Sequence, residues 1–261
     1  MRNGVFFLSF FCKVTLLFGQ QDSFEQALDL IQRGSFKEAL PLLTEAASAG
    51  TEPRAAFYLS QAWRSGSGLS TNDSIADFWL LRAARDGYSP AFPEASVLLL
   101  NPHSAHYDSL SGISMLKTCV RQKQAQCELS MARIYLKTKS KNGHLDSAIV
   151  LLKSLAGNQT LIDIHEILSR QDAIETLFDI YSEPGTKSFD EYNACIWFIV
   201  WTENMQLVQP ANRELYFERG RKLYQKTNRE KARKALLAAQ KIAGRDLELP
   251  ETLVSHIETK P

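Results

Sequence analysis

Few residues of the chain stand at spacings that could do catalytic chemistry. Ser114 and Lys117 form an S-x-x-K pair, in which penicillin-interacting enzymes use the serine as nucleophile. Neither an S-D-N nor a K-T-G sequence, the usual companions of that pair, occurs in the chain. Because a serine and a lysine three residues apart are common on a helix surface, we interpret the pair as a surface feature and predict no catalytic residues.

A second pattern contains only part of a zinc-binding motif. His165 and Glu166 open the sequence H-E-x-x-H, but Ser169 stands where the second histidine is required. Two histidines on one face of a helix are needed to hold the ion, so half of this ligand set is missing. The sequence therefore predicts neither a metal site nor a bound cofactor.

The charge of the chain argues against nucleic acid as a partner. Its 261 residues include 30 Lys plus Arg and 29 Asp plus Glu, which gives a formal net charge of +1. Binding through bulk charge needs a clear basic excess, which is missing here. The segment Arg219–Lys234 is an exception, because its eight basic residues stand beside one acidic residue, Glu230. This segment is either a solvated terminal cap or a face that binds an anionic surface or an acidic partner.

The first twenty residues have the composition of a secretion signal. Arg2 precedes an apolar run from Val5 to Phe18, and polar residues follow from Gln20. The run contains Lys13 and is shorter than the roughly 20 apolar residues of a spanning helix, so a retained membrane anchor is the weaker interpretation. We predict a leader over residues 1–20 and an exported protein, either periplasmic or extracellular.

An internal repeat of about 36 residues organises the rest of the chain. The segment FKEALPLLTEAASAG recurs 37 residues later with five identities, two more degenerate copies follow at intervals of 36, and a fifth copy follows after an insertion of about ten residues. A period of this length, with apolar residues at helical spacing in both halves, predicts two antiparallel helices per repeat. The same small position opens each copy of the pattern: Ala39, Ala76, Gly112, Ala148 and Ala194.

Two other residue types recur at fixed distances from this small position. An aromatic residue stands 13 positions before it as Trp63, Tyr135 and Tyr181. We expect the aromatic ring to fill the space beside the small residue, so that Trp63→Ala costs roughly 3–5 kcal/mol. Four positions before the small residue stands one whose side-chain oxygen can cap the second helix of the repeat. These capping candidates are Ser35, Asn72, Asp108 and Asp190.

These patterns resemble the Sel-one-like repeat (SLR), a relative of the tetratricopeptide repeat (TPR). The resemblance is strongest in AAFYLSQAWRSGSGLSTNDSIADFWLLRAARDG, residues 55–87, and extends over about residues 23–205. It implies an all-α fold, a right-handed α/α superhelical solenoid of antiparallel helix pairs. We accordingly predict SLR repeats over residues 21–205, a C-terminal helical hairpin cap over 206–245 and a tail over 246–261.

The positions of two cysteines are similar to those in the secreted cysteine-rich SLR proteins. Cys119 ends the second helix of the third repeat, and Cys127 begins the first helix of the fourth. The resemblance implies a disulfide between them, and two buried thiols are the alternative. Cys195 is left over in an apolar segment and is predicted to be a buried, inert thiol. Some members of that group carry a β-lactamase label, so a penicillin-interacting hydrolase is the alternative function.

The function that this architecture implies is an exported, non-enzymatic scaffold. Related repeats bind proteins or peptides on a concave surface formed by the first helix of each repeat. We therefore predict a protein or peptide partner, no nucleic acid, and a possible anionic surface at Arg219–Lys234. The predicted partner-binding residues are Arg54, Phe57, Tyr58 and Gln61, followed in later repeats by Arg133, Asp172, Glu175 and Asp179.

Overall fold

The computed structural model describes residues 23–254 apart from residues 51, 68, 138–142, 162, 204–209, 248 and 251–252. The predicted leader, residues 1–20, and the last residues of the predicted tail lie outside the described residues. Helices and short turns make up the described chain, which divides into two compact units between Cys119 and Val120. The fold class is an all-α solenoid of helix pairs, which confirms the prediction from the repeat.

The described residues of the first unit form three helix pairs joined by short loops. Successive helices pack together, α2 on α3, α3 on α4 and α4 on α5, as stacked repeats require. A short 3₁₀ turn, Ser89–Ala91, precedes α5. The helices are α1 (23–32), α2 (Phe36–Ala49), α3 (Pro53–Ser65), α4 (Asp73–Arg85), α5 (Phe92–Leu100) and α6 (Ser109–Arg121), whose last two residues belong to the second unit.

The second unit is built around helix α10. Each residue of α10 from Ala194 to Thr202 is buried, because α9, α11 and α12 all pack against this helix. None of the described helices is both long enough and apolar enough to cross a membrane. The helices are α7 (Ala125–Lys137), α8 (Gly143–Ala156), α9 (Ile164–Ser182), α10 (Glu191–Thr202), α11 (Pro210–Lys226) and α12 (Arg229–Ala243).

The small position of the repeat is buried in every copy, as predicted. A residue without a long side chain allows the two helices of a pair to approach closely. Gly112 gives the clearest case, because a Cβ atom there would lie 2.8 Å from Cγ of Leu100 in α5. The aromatic position is less uniform, since Tyr181 is buried whereas Trp63 and Tyr135 are half-buried.

Three of the four predicted capping residues cap their helices. Asn72 Oδ1 accepts a hydrogen bond from the Ile75 N–H at 3.1 Å. Asp108 and Asp190 do the same at the starts of α6 and α10. The prediction for Ser35 is wrong: its side chain makes no capping bond, and its carbonyl oxygen accepts the N–H of Glu38 instead.

The capping residue also closes the loop of its helix pair. The backbone N–H groups of Asn72, Asp108 and Asp190 each donate to a carbonyl oxygen nine residues earlier, at 2.9 Å. The acceptors are Trp63, Leu99 and Tyr181, which is the aromatic position in two of the three pairs. This bond fixes the loop length, and it explains why the aromatic residue stands 13 positions before the small residue.

The capping bonds can be tested with a matched pair of variants. Asn72→Ala removes the acceptor of the Ile75 N–H and is expected to lower the free energy of unfolding by about 1 kcal/mol. Ser35 stands at the equivalent position but makes no capping bond through its side chain. Ser35→Ala should therefore change the free energy of unfolding by only a few tenths of the loss in Asn72→Ala. Urea unfolding of the two variants measures both values, and equal losses would contradict the assignment.

The sequence pattern also continues beyond the repeats that it predicted. Asn228 caps α12 by accepting the Glu230 N–H at 2.8 Å, and Ala232 stands four residues later, fully buried. α12 is therefore a further copy of the second helix of the repeat. Within the predicted tail, Leu247 and Leu253 are buried in the core of the second unit.

Candidate partner-binding surface

Arg54, predicted to bind a partner, is tied to neighbouring residues of the first unit. Its guanidinium forms two 2.8 Å hydrogen bonds with the carboxylate of Glu52 and lies 3.7 Å from that of Glu25 in α1. The hydrogen bond from Arg54 holds the pKa of Glu52 below its ordinary value. The guanidinium also stacks over the ring of Phe24, 4.6 Å from its centroid. Arg54 thus positions α1 beside α3.

The two neighbouring aromatic residues of α3 are placed differently. Phe57 is half-buried, and its ring centroid lies 5.3 Å from that of Tyr88. Tyr58 is 36% exposed and rests against Phe24, with a centroid distance of 6.1 Å. Tyr58 therefore presents part of a supported aromatic ring to solvent, whereas Phe57 contributes mainly to packing.

Gln61 links α3 to the next first helix, α5. Its amide nitrogen lies 3.4 Å from both carboxylate oxygens of Glu94. Arg64, which the sequence did not single out, makes ion pairs with Glu94 at 3.3 Å and with Asp77 at 3.0 Å. The only hint in the sequence was its place one helical turn after Gln61 and Ser60, on a helix already predicted to carry partner contacts.

Arg133 makes the corresponding contact between first helices in the second unit. Its guanidinium lies 2.9 Å from the carboxylate of Asp172, which joins α7 to α9. Both side chains are about half exposed to solvent. An exposed pair of this kind contributes only about 0–1 kcal/mol, so it costs little to exchange it for a partner's charge.

Glu175 and Asp179 hold helices of the second unit together. Glu175 accepts hydrogen bonds from the amide of Gln171 at 3.0 Å and from the indole N–H of Trp201 at 3.2 Å. Asp179 accepts the Tyr216 hydroxyl at 2.9 Å and an Arg219 N–H at 2.7 Å. Burial, together with the charge of Asp179, raises the pKa of Tyr216.

These contacts separate the predicted residues into two groups. The polar ones are held by internal bonds, on α3 (Arg54 and Gln61) as well as on α9 (Glu175 and Asp179). In the first unit, Tyr58 keeps an exposed ring, and Val97 on α5 is 57% exposed. Tyr58 and Val97 thus present apolar surface to solvent on the first helices α3 and α5.

The catalytic candidates of the sequence do not form a site in the described structure. Ser114 and Lys117 are both exposed on α6. Ser169, at the position of the missing zinc ligand, is buried, and its hydroxyl donates to the His165 carbonyl oxygen at 2.8 Å. Across the residues that the structure describes, no group of three His, Cys, Asp or Glu side chains could hold a metal ion.

The cysteines fall into two classes. Cys119 and Cys127, the predicted disulfide partners, are both fully buried. Cys195 is a buried free thiol whose sulfur lies 3.4 Å from the hydroxyl of Thr227. Burial raises the pKa of the Cys195 thiol to about 11.

The state of Cys195 gives a direct chemical prediction. The thiolate is the reactive form, and at pH 8 a buried group with this raised pKa is almost entirely protonated. We expect iodoacetamide to leave Cys195 unmodified in the folded protein and to alkylate it fully in denaturant. Peptide mass spectrometry quantifies both states, and rapid labelling of the folded protein would contradict the burial.

At least three of the eight basic residues of the segment Arg219–Lys234 form ion pairs within the chain. Arg219 pairs with Asp179 at 2.7 Å, and Arg221 with Glu218 at the same distance. Lys234 pairs with Glu230, also at 2.7 Å. The segment spans the second half of α11 and the first turns of α12, as the prediction of two helices requires.

The fold is similar to solved structures of repeat proteins. A Sel1 repeat protein from Oxalobacter formigenes gives a TM-score of 0.51 at 18% sequence identity, covering 71% of this chain and 73% of that one. A protective antigen of uropathogenic Escherichia coli, described as displaying an SLR fold, gives 0.48 at 17% identity, covering 93% of this chain and 56% of that one. No protein-family model and no curated protein matches the sequence. The first of these likenesses shows that the chain has the Sel1 repeat fold.

Proposed function

We propose that the chain is an exported, non-enzymatic repeat scaffold that binds a protein or peptide through the first helices of its repeats. The observation that carries this proposal is the placement of Tyr58. Its ring is partly exposed, supported from beneath by Phe24, and flanked by the polar contacts of Arg54 and Gln61. Aromatic residues with one supported and one exposed face are frequent anchors of protein interfaces.

The surroundings of Tyr58 suit an interface in a second respect. The charged neighbours are already held in place by ion pairs within the chain, so less side-chain entropy is lost when a partner binds. Arg64 and Glu94 continue the same face toward α5. A partner that meets this face would find an aromatic anchor within a polar rim, the usual anatomy of a protein interface.

The hydrolase alternative gains no support from the described residues. Ser114 and Lys117 are exposed on α6, where the serine would lack the enclosed, water-poor environment that nucleophilic catalysis needs. Export rests on the predicted leader, and we propose the periplasm or the extracellular space as the compartment. Where the partner meets the segment Arg219–Lys234, we expect it to carry negative charge.

We also propose that Cys119 and Cys127 are bonded to each other in the exported protein. Both side chains are fully buried, and an oxidising compartment preserves disulfide bonds. A peptide map under non-reducing conditions should contain a linked peptide holding both residues. Two free thiols in protein recovered from its native compartment would overturn both the pairing and the proposed export.

Site-specific photo-crosslinking tests the partner-binding face. A benzoylphenylalanine placed at Tyr58 should capture a partner when the protein is produced in its source cells. The matched control places it at Phe78, a 53% exposed aromatic on the second helix α4 of the same unit. Capture at position 58 and none at position 78 is the expected result. Equal capture at both positions, or none at either, would contradict the proposal.

A further inference from the structure

A cleft of about 360 Å³ lies in the second unit beside the basic segment. It is formed by the loop between α9 and α10 together with the last turns of α11. Pro184, Phe189 and Leu223 provide apolar walls, and Phe189 is 40% exposed. The volume falls within the range of small-ligand sites and is large enough for two side chains of a bound peptide.

The cations of the cleft are not equivalent. Arg219 is engaged, because it pairs with Asp179 at 2.7 Å and lies 3.7 Å from Glu183. Lys222 and Lys226 are one helical turn apart on α11 and point the same way, and both are exposed. Within the described part of the chain, neither lysine forms an ion pair with a carboxylate.

Two carboxylates lie nearby without neutralising this lysine pair. Glu218 is held by Arg221 at 2.7 Å, and that hydrogen bond, with a further contribution from the charge of Lys222, lowers the pKa of Glu218. Glu191 lines the cleft but lies beyond ion-pair distance of both lysines. The cleft thus combines two uncompensated positive charges with an apolar wall.

We propose that this cleft binds a segment of the partner protein in which an acidic side chain adjoins an apolar one. The carboxylate would lie between Lys222 and Lys226, and the apolar side chain would pack on Phe189 and Leu223. A free inorganic anion could use the two lysines but would gain nothing from the apolar walls. The inference rests on the proposed function, since it assumes a protein partner, and it adds the chemistry of the segment that is recognised.

Synthetic peptides test the specificity directly. The probes are hexapeptides with two Asp or Glu and two Leu or Phe residues on a Gly-Ser background. Two matched sets replace either the acidic residues with Lys or the apolar residues with Ser. The purified full chain should bind the first set and bind both matched sets at least tenfold more weakly, as measured by calorimetry at near-physiological salt.

Two double variants then locate the site. Lys222→Glu with Lys226→Glu should weaken binding of the best peptide at least tenfold. Lys37→Glu with Lys241→Glu makes the same change of charge at exposed positions outside the cleft and should leave the affinity nearly unchanged. A thermal melt followed by circular dichroism confirms that both variants fold.

Three results would overturn the cleft. The first is that no peptide binds, and the second is that both double variants lose the same affinity for the peptide. The third is that inorganic phosphate at equal concentration displaces the peptide. The proposed function can fail separately. Suppose that a partner is captured at position 58 and that Lys222→Glu with Lys226→Glu does not change its affinity. This result would contradict the proposal that the cleft binds the partner, and it would leave the proposed role of Tyr58 intact.

Discussion

Gly220→Ala is expected to lower the free energy of unfolding by about 3 kcal/mol, the upper end of the usual cost of overpacking, although alanine is the better helix former. Gly220 is buried in α11 where this helix crosses α10. An added Cβ would lie 2.6 Å from Cγ of Phe198 and still closer to two other carbons of that ring. Phe198 is fully buried among Phe178, Trp201 and Phe217, so its ring cannot move aside without displacing its neighbours.

Whether Gly220→Ala lowers or raises the free energy of unfolding shows which matters more, the packing of the side chain or the intrinsic helix propensity of the residue. In an exposed helix, glycine to alanine would stabilise by roughly 1 kcal/mol. Leu215→Ala, on the exposed side of the same helix, is the control and should change stability by less than about 0.5 kcal/mol. Denaturant unfolding measures both variants. A more stable Gly220→Ala protein would show that α11 and α10 do not approach as closely as described.

Trp201→Ala should cost roughly 3–5 kcal/mol because it empties the centre of the second unit. The indole is completely buried and stacks on Tyr216, with a centroid distance of 5.9 Å. Its N–H donates to Glu175, which would lose one of its two hydrogen-bond donors. The loss therefore combines a cavity with a partly unsatisfied carboxylate.

Trp63→Ala provides the comparison for this prediction. The sequence predicts a similar loss at Trp63, but that side chain is only half-buried, so we expect a smaller one, about 1–2 kcal/mol. The midpoints of urea unfolding rank the two variants. If Trp63→Ala lowers the free energy of unfolding as much as Trp201→Ala does, the expectation from the sequence that Trp63 fills the space beside the small residue is supported.

The parts of the fold that follow from short stretches of sequence could be predicted. The aromatic residue, the capping residue and the small residue of a repeat lie within 13 positions of each other. The interactions that fix these residue types are therefore all made within one helical hairpin. Ser35 fits the same spacing yet makes no capping bond, because its backbone takes a different conformation with ψ of 51°. The copy at Asn228 and Ala232 keeps the four-residue spacing between the capping residue and the small residue, and that spacing alone could have located it.

The interhelix contacts of the candidate site could not be predicted in this way. Asp179 and Arg219 are 40 residues apart, and their pairing depends on how α9 and α11 both pack against α10. The sequence marked Glu175 and Asp179 as exposed partner contacts because they repeat the spacing of Phe57 and Gln61. Only the positions of the neighbouring helices show that these carboxylates have internal partners.

The affinity of the captured partner for two single variants tests the central claim most directly. Tyr58→Ala removes the exposed ring on α3, and Phe78→Ala removes an even more exposed ring on α4. If the first-helix face is the binding surface, Tyr58→Ala should raise the dissociation constant at least tenfold, a loss of about 1.4 kcal/mol that exceeds that of most interface residues, while Phe78→Ala leaves it unchanged. Equal dissociation constants for Tyr58→Ala and the unmodified protein would contradict the claim.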